Sequence, residues 1–170
     1  AKNETGWKNL IQLVTKSNLE GFYYKPRIDK DLLRQHRDGL VCLSGCLSGE
    51  VSKLLSQEKP DEAEKAAKEY KSIFGEDFYL EIQPHVPEIH EAVINLGKKL
   101  EIKLVGTQDI HYVRPDDQTA HEILLAVQTN SKLDDEDRLS LKSYDLSLQS
   151  VEYMVKTFGN FPESVQSTIE

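Results

Sequence analysis

The sequence predicts an α/β fold of parallel strands joined by helical crossovers, and three observations carry that reading. Short runs of strand length at Leu40–Ser44, Asp77–Ile82 and Lys103–Thr107 alternate with segments of helical period. Between these runs there is no Asn-Gly or Asp-Gly dipeptide of the kind that closes a tight hairpin, so crossovers must connect them. The first run, Leu40-Val41-Cys42-Leu43-Ser44, has the continuous apolar character of a strand buried on both faces.

Taken in order, Trp7, Leu10, Ile11 and Val14 recur at helical spacing and mark an amphipathic helix over about residues 4–17. The stretch Gly21 to Arg27 breaks that pattern. Asp29 can then cap a short helix carrying Leu32 and Leu33, which Gly39 ends. A glycine-bearing turn, Gly45 to Gly49, follows the first strand. Two helices come next, one near 49–57 and one opened by Pro60 and closed by Gly75, with Ala63, Ala66, Ala67, Tyr70, Ile73 and Phe74 as its apolar stripe. Pro87 opens a helix that runs to about Leu100. Pro115 to Val127 reads as helix with His121, Leu124 and Leu125 on one side. An acidic stretch over Asp134–Asp137 and a loop to Leu148 precede a last helix that Ser150 can cap.

Formal net charge is −8, which opposes duplex binding by the surface as a whole; Lys25 and Arg27 form a local basic patch that could still touch nucleic acid. No run approaches the roughly 18 apolar residues of a membrane helix, and Ala1-Lys2-Asn3-Glu4 is no secretion signal, so the expectation is a cytoplasmic protein with no membrane partner. Cys42 and Cys46 have neither thioredoxin nor zinc-ribbon spacing, and strand geometry holds them too far apart for a disulfide. Ala1 enters a helical pattern almost at once with no initiator Met, as expected of a piece of something larger.

In parallel α/β folds ligands gather beyond the carboxyl ends of the strands. The loops there are Gly45-Cys46-Leu47-Ser48-Gly49-Glu50, Gln83-Pro84-His85 and Gln108-Asp109-Ile110-His111-Tyr112. Asp109 and His111 form the sharpest pair, because i and i+2 share a side in an extended segment and could grip one divalent ion. The alternative is a helix-capping Asp and a packed His. Cys46 reads either as a ligand or as a small buried hydrophobe. His85 is a candidate or a solvated loop residue, and Glu50 and Glu81 are candidate acceptors that would orient a metal-bound imidazole. His36, His90 and His121 fall within helices and read as surface or packing residues. Gly45-x-x-x-Gly49 lacks the Lys-Ser/Thr of a phosphate loop, and Ser44 sits in no nucleophile elbow.

Several blocks carry a resemblance: Ala1 to Leu10, Glu20-Gly-Phe-Tyr-Tyr-Lys-Pro-Arg-Ile-Asp29, Leu43-Ser-Gly-Cys-Leu-Ser-Gly-Glu50, Phe78-Tyr-Leu-Glu-Ile-Gln83, Thr107-Gln-Asp-Ile-His-Tyr112 and His121 to Thr129. In order and spacing they resemble the later part of the PHP domain of the bacterial DNA polymerase III alpha-subunit family. Gln108 departs from the family's usual Asn, and Asp145 to Ser150 matches only loosely. The resemblance implies one partial PHP domain over 1–170, part of a distorted β/α barrel. Asp109 and His111 would be the closing ligand pair and Cys46 a further ligand, of zinc or manganese. The opening His-x-His would lie before Ala1, and the palm with its catalytic aspartates and Mg²⁺ after Glu170, leaving no polymerase catalytic residue here. Implied partners are the remainder of the alpha subunit, a proofreading exonuclease subunit and, through the parent, DNA. Two roles follow, a scaffold with a partial metal site or, in the complete domain, a metal-dependent 3′-to-5′ exonuclease. An independent small hydrolase is disfavoured by blocks such as Gly21 to Asp29. An opened barrel would also leave a sheet edge bare, so the chain is expected to self-associate or be marginally stable.

Overall fold

The computed structural model describes residues 1–169. Helices are α1 (Glu4–Leu19), α2 (Lys30–Gln35), α3 (Glu50–Ser56), α4 (Pro60–Phe74), α5 (His90–Leu100), α6 (Gln118–Gln128), α7 (Val151–Thr157) and α8 (Pro162–Gln166). Strands β1 (Cys42–Leu43), β2 (Phe78–Ile82) and β3 (Leu104–Gly106) form one sheet in that order. β1 runs parallel to β2 with Cys42 opposite Phe78 and Leu43 opposite Tyr79. The architecture is therefore a helix-rich α/β chain with a small parallel sheet.

By internal contacts the chain divides into two compact units, one of Ala1–Glu81 with Glu91–Leu104, the other of Ile82–His90 with the chain from Val105 onward. In the first unit, Pro60 occupies the first turn of α4, where its missing N–H costs nothing, and Gly75 stops the helix at φ 60°. The small face of α4, Ala63, Ala66 and Ala67, is buried, as are Val51, Ile73, Phe78, Leu80 and Val93. Burial of this apolar set supplies the main drive for the unit's folding. α1 is held at its start: the Asn3 side chain accepts from Gly6 N–H at 2.9 Å, and a Cβ on Gly6 would collide with the Gly39 carbonyl.

Several sequence expectations change here. The α1 stripe is largely exposed at Trp7, Ile11 and Val14, while Leu13 is its buried side chain. α2 stops at Gln35 with His36 as C-cap, ahead of Gly39, because a loop with Gly39 at φ 75° intervenes. The run Leu40–Ser44 contributes a strand of only two residues, and Val41 and Leu43 are each 42% exposed. Among the described residues β1 has one strand neighbour, so a two-sided burial pattern in sequence becomes a one-sided edge in space.

In the second unit Gly106 lies under the Phe158 ring: a Cβ there would sit 2.8 Å from it. Phe158 and Leu146 are each 1% exposed. Tyr112 and Ser147 form a parallel bridge, His111 N–H donates to Leu146 C=O at 2.9 Å and Leu148 N–H donates to Tyr112 C=O at 3.1 Å, so residues 146–148 are tied to the segment after β3. α6 buries Glu122 and Ala126, whereas Leu124 on its expected apolar side is 67% exposed. Glu122 meets Arg138 at 2.7 Å and accepts from Ser140 Oγ–H at 2.7 Å and Leu141 N–H at 2.9 Å. That network fixes the segment read from sequence as an acidic loop. Ser150 caps α7 as expected, accepting from Tyr153 N–H. α8, opened by Pro162, was not anticipated.

Candidate functional site

The second unit concentrates the chemistry-bearing side chains. Beyond β3 the chain turns at Asp109, whose φ of 57° lies in the left-handed region, so Asp109 and His111 do not share a side through strand alternation. The turn achieves the juxtaposition by another route. His85 Nε2 stands 3.6 Å from one Asp109 carboxylate oxygen, and His111 Nε2 stands 3.6 Å from the other. His111 Nδ1 in turn meets Nε2 of His121 on α6 at 3.2 Å. Three imidazoles and one carboxylate thus form a continuous polar chain.

The surroundings set its electrostatics. Burial pushes the His85 imidazole below its usual range, Asp109 pulls the other way, and His111 adds a further downward push. His85 also packs edge-on against Tyr144, with ring centroids 5.3 Å apart. Nδ1 of His85 and Nδ1 of His121 are buried and make no hydrogen bond. A neutral His85 with its proton on Nε2 satisfies both facts, because the N–H faces Asp109 and the bare Nδ1 faces the interior.

The contact between His111 and His121 admits two tautomer pairs. If His121 Nε2–H donates to His111 Nδ1, then His111 presents Nε2–H to the Asp109 carboxylate, an attractive arrangement. If His111 Nδ1–H donates to His121 Nε2, then His111 presents a bare lone pair to a carboxylate and His121 buries an unpaired N–H. Without a cation the first pair is favoured. The second is the form a metal-bound imidazole requires, with its remote N–H held by an acceptor.

The donor types suit a borderline metal such as zinc, but the number does not. Among the described residues no group of three or more His, Cys, Asp or Glu is placed to hold a metal ion. The cluster by itself is therefore not a complete metal site.

The remaining candidates lie in the first unit. Cys46 is a free, half-buried thiol in the turn before α3. Glu81 is buried on β2, accepting from Gly45 N–H at 3.1 Å, while its own N–H donates to Ser44 Oγ at 2.9 Å. Glu50 accepts from Tyr70 O–H at 2.9 Å and pairs with Lys30 at 3.0 Å. Burial pushes the Cys42 thiol up to about 11, which keeps it protonated and inert.

Sequence reasoning missed His121 as a member of the cluster. Its only sequence-level signal is position: ten residues after His111 and near the start of a helix opened by Pro115, it faces back toward the β3 loop. His90 and His36 keep packing roles. His90 Nε2 meets Gln83 C=O at 2.8 Å, and His36 Nδ1 meets Asn9 Oδ1 at 3.4 Å.

Comparison with known proteins bears on what this cluster serves. The family model "PHP domain" matches residues 1–85, half of the chain. The chain belongs to the PHP domain family. It is 42% identical over 99% of its length to the DNA polymerase III subunit alpha of Treponema pallidum, covering 15% of that protein. It is 45% identical over 81% of its length to the subunit of the same name from Thermus aquaticus, covering 12% of it. With the Helicobacter pylori counterpart it shares 39% identity over its full length, again covering 15%. The chain thus spans about 15% or less of the curated relatives it matches. Its resemblance continues past residue 85 and through the Asp109 turn. No helix of the described residues is long and apolar enough to cross a membrane.

Proposed function

We propose that this chain is a PHP-domain portion of a replicative DNA polymerase III alpha subunit and acts there as a scaffold carrying part of a divalent-metal site. The identity to that subunit in three organisms, over 81% to all of the chain, is the observation that supports it. In this reading the three parallel strands are an arc of a distorted β/α barrel, and residues 1–170 are one partial domain. Cys46, Asp109 and His111 contribute ligands to the complete set, with His85 beside them and Glu50 and Glu81 as outer acceptors. Zinc or manganese is the metal, and its completion requires donors beyond the described residues. The parent's reaction is template-directed addition of deoxynucleotides in the cytoplasm, with Mg²⁺ at a palm this chain does not include. Its partners are the rest of the alpha subunit, a proofreading exonuclease subunit and DNA.

The test is primer extension by the full-length parent carrying Asp109→Ala or His111→Ala. A scaffold predicts extension near the wild-type rate in a variant that retains its fold. Loss of extension at the same stability would overturn it. A metal-dependent 3′-to-5′ exonuclease of the complete domain is the second reading, favoured by two imidazoles facing one carboxylate. It expects these variants to abolish release of nucleotides from a primer 3′ end.

A further inference from the structure

The first unit presents a loop that the scaffold and metal readings leave unused. Phe22-Tyr23-Tyr24 is the only run of three aromatic residues in the sequence, and Lys25 and Arg27 follow within three positions. The loop is pinched at its base, because Gly21 lies so close to the Arg27 carbonyl that a Cβ there would collide. Tyr23 N–H donates to Lys25 C=O at 3.2 Å, and these two residues form an antiparallel bridge that reverses the chain around Tyr24. Tyr24 takes a φ of 61°, in the left-handed region that a bulky side chain rarely adopts.

That conformation does not hide the ring. Phe22 is 59% exposed, Tyr23 64% and Tyr24 85%. Tyr23 and Tyr24 meet edge to face at 4.6 Å, and the Arg27 guanidinium lies 5.4 Å from the Tyr23 ring centroid. The nearest acidic residues in sequence are engaged elsewhere: Glu20 pairs with Lys16 at 3.4 Å, and Asp29 caps α2 through Leu32 N–H at 2.8 Å. In a chain of net charge −8, residues 22–28 carry two positive charges and no negative one.

We propose that the Phe22–Arg27 loop is a binding site for single-stranded nucleic acid, with unpaired bases stacking on Tyr24 and Phe22 while Lys25 and Arg27 meet the phosphates. Ring faces plus cations match this ligand because every base offers a π-face, and the phosphates reward the local positive charge against an otherwise repelling surface. A duplex keeps its bases stacked on each other and offers only its backbone, which the overall charge opposes. The same residue types also occur at protein-docking hot spots; the two cations without a local acidic counterpart favour the polyanion. The site is independent of the metal cluster and of any polymerase activity.

Fluorescence anisotropy with a labelled oligothymidylate of about 20 nucleotides, titrated with the chain at low salt, tests it. Saturable binding is expected, tighter for the single strand than for a duplex of equal length and weakened by added salt. Tyr24→Ala should weaken it roughly 5- to 100-fold, Tyr24→Phe should restore it, and the double variant Lys25→Glu/Arg27→Glu should reduce both affinity and salt dependence. Circular dichroism checks that each variant is folded. Absence of saturable binding, as a protein-docking patch would give, overturns the proposal. So does equal affinity for duplex, or wild-type affinity in folded Tyr24→Ala.

Discussion

The two units bury different things. In the first, the layer built on α4 hides alanine, valine, isoleucine and leucine side chains, and apart from Glu81, buried on β2 where it accepts from Gly45 N–H, its charges stay at or near the surface, as in the Lys8–Glu4 pair, whose side chains are 71% and 81% exposed. In the second, charge goes inside: the Glu122 and Arg138 side chains are 6% and 10% exposed, and the His85, Asp109 and His111 side chains are 13%, 28% and 32% exposed. The first unit can be understood as apolar packing with a solvated exterior. The second holds polar groups in a setting where each must find a partner, which is where a ligand site can be built and where a substitution is felt most.

The sharpest way to break this contrast is to remove one member of each kind of pair. Arg138→Ala leaves the buried Glu122 carboxylate without its counterion, held by Ser140 and Leu141 alone, and should cost up to about 3–5 kcal/mol in denaturant unfolding. Lys8→Ala removes an exposed helix pair, and its effect should stay within about 0.5 kcal/mol. Equal costs would mean that burial does not distinguish the two regions.

Acid should find the second unit next. Burial alone would raise the Glu122 carboxyl, but hydrogen bonds from Ser140, Leu141 and Arg138 outweigh it and hold the group below the usual carboxylate range. A carboxylate with a lowered folded pKa contributes stability that is fully present above its unfolded value of about 4.3 and is lost as pH falls through the lower folded value. Unfolding followed from neutral pH to below that range should show this loss, and Glu122→Gln should flatten the corresponding part of the profile. An unchanged slope in Glu122→Gln would assign the acid sensitivity elsewhere.

A smaller effect sharpens the description of the cluster. In metal-free protein, ¹⁵N chemical shifts of the imidazoles should report His111 as the Nε2–H tautomer, since that form presents its proton to Asp109. Asp109→Ala should release this preference without unfolding the chain. An Nδ1–H tautomer for His111 in metal-free protein would show that the two-imidazole contact runs in the opposite sense.

The contrast also explains what was legible in sequence. α4 could be read to the residue because Pro60 and Gly75 act locally, through a missing donor and a positive φ. β1 could not, because the exposure of Val41 and Leu43 depends on how many strands flank it, which a run of apolar residues does not encode. Asp109 and His111 were visible as an i, i+2 pair, though the left-handed turn at Asp109, rather than strand alternation, brings them together. His121 was invisible as a partner because α6 carries it to His111 from outside the motif. Arg138 and Glu122 were missed for the same reason: they lie sixteen positions apart, and nothing local marks an Arg in an acidic loop as the counterion of a buried Glu.

The most direct test of the metal reading is titration of the full-length parent, which carries the donors this chain lacks, with Zn²⁺ or Mn²⁺, with elemental analysis of the purified protein, in wild type, Asp109→Ala and His111→Ala. Stoichiometric binding in the wild type, lost in both folded variants, is the expected result. Binding that survives both substitutions, or no binding by the wild type, would contradict it and leave the cluster as a hydrogen-bonded element of a structural segment.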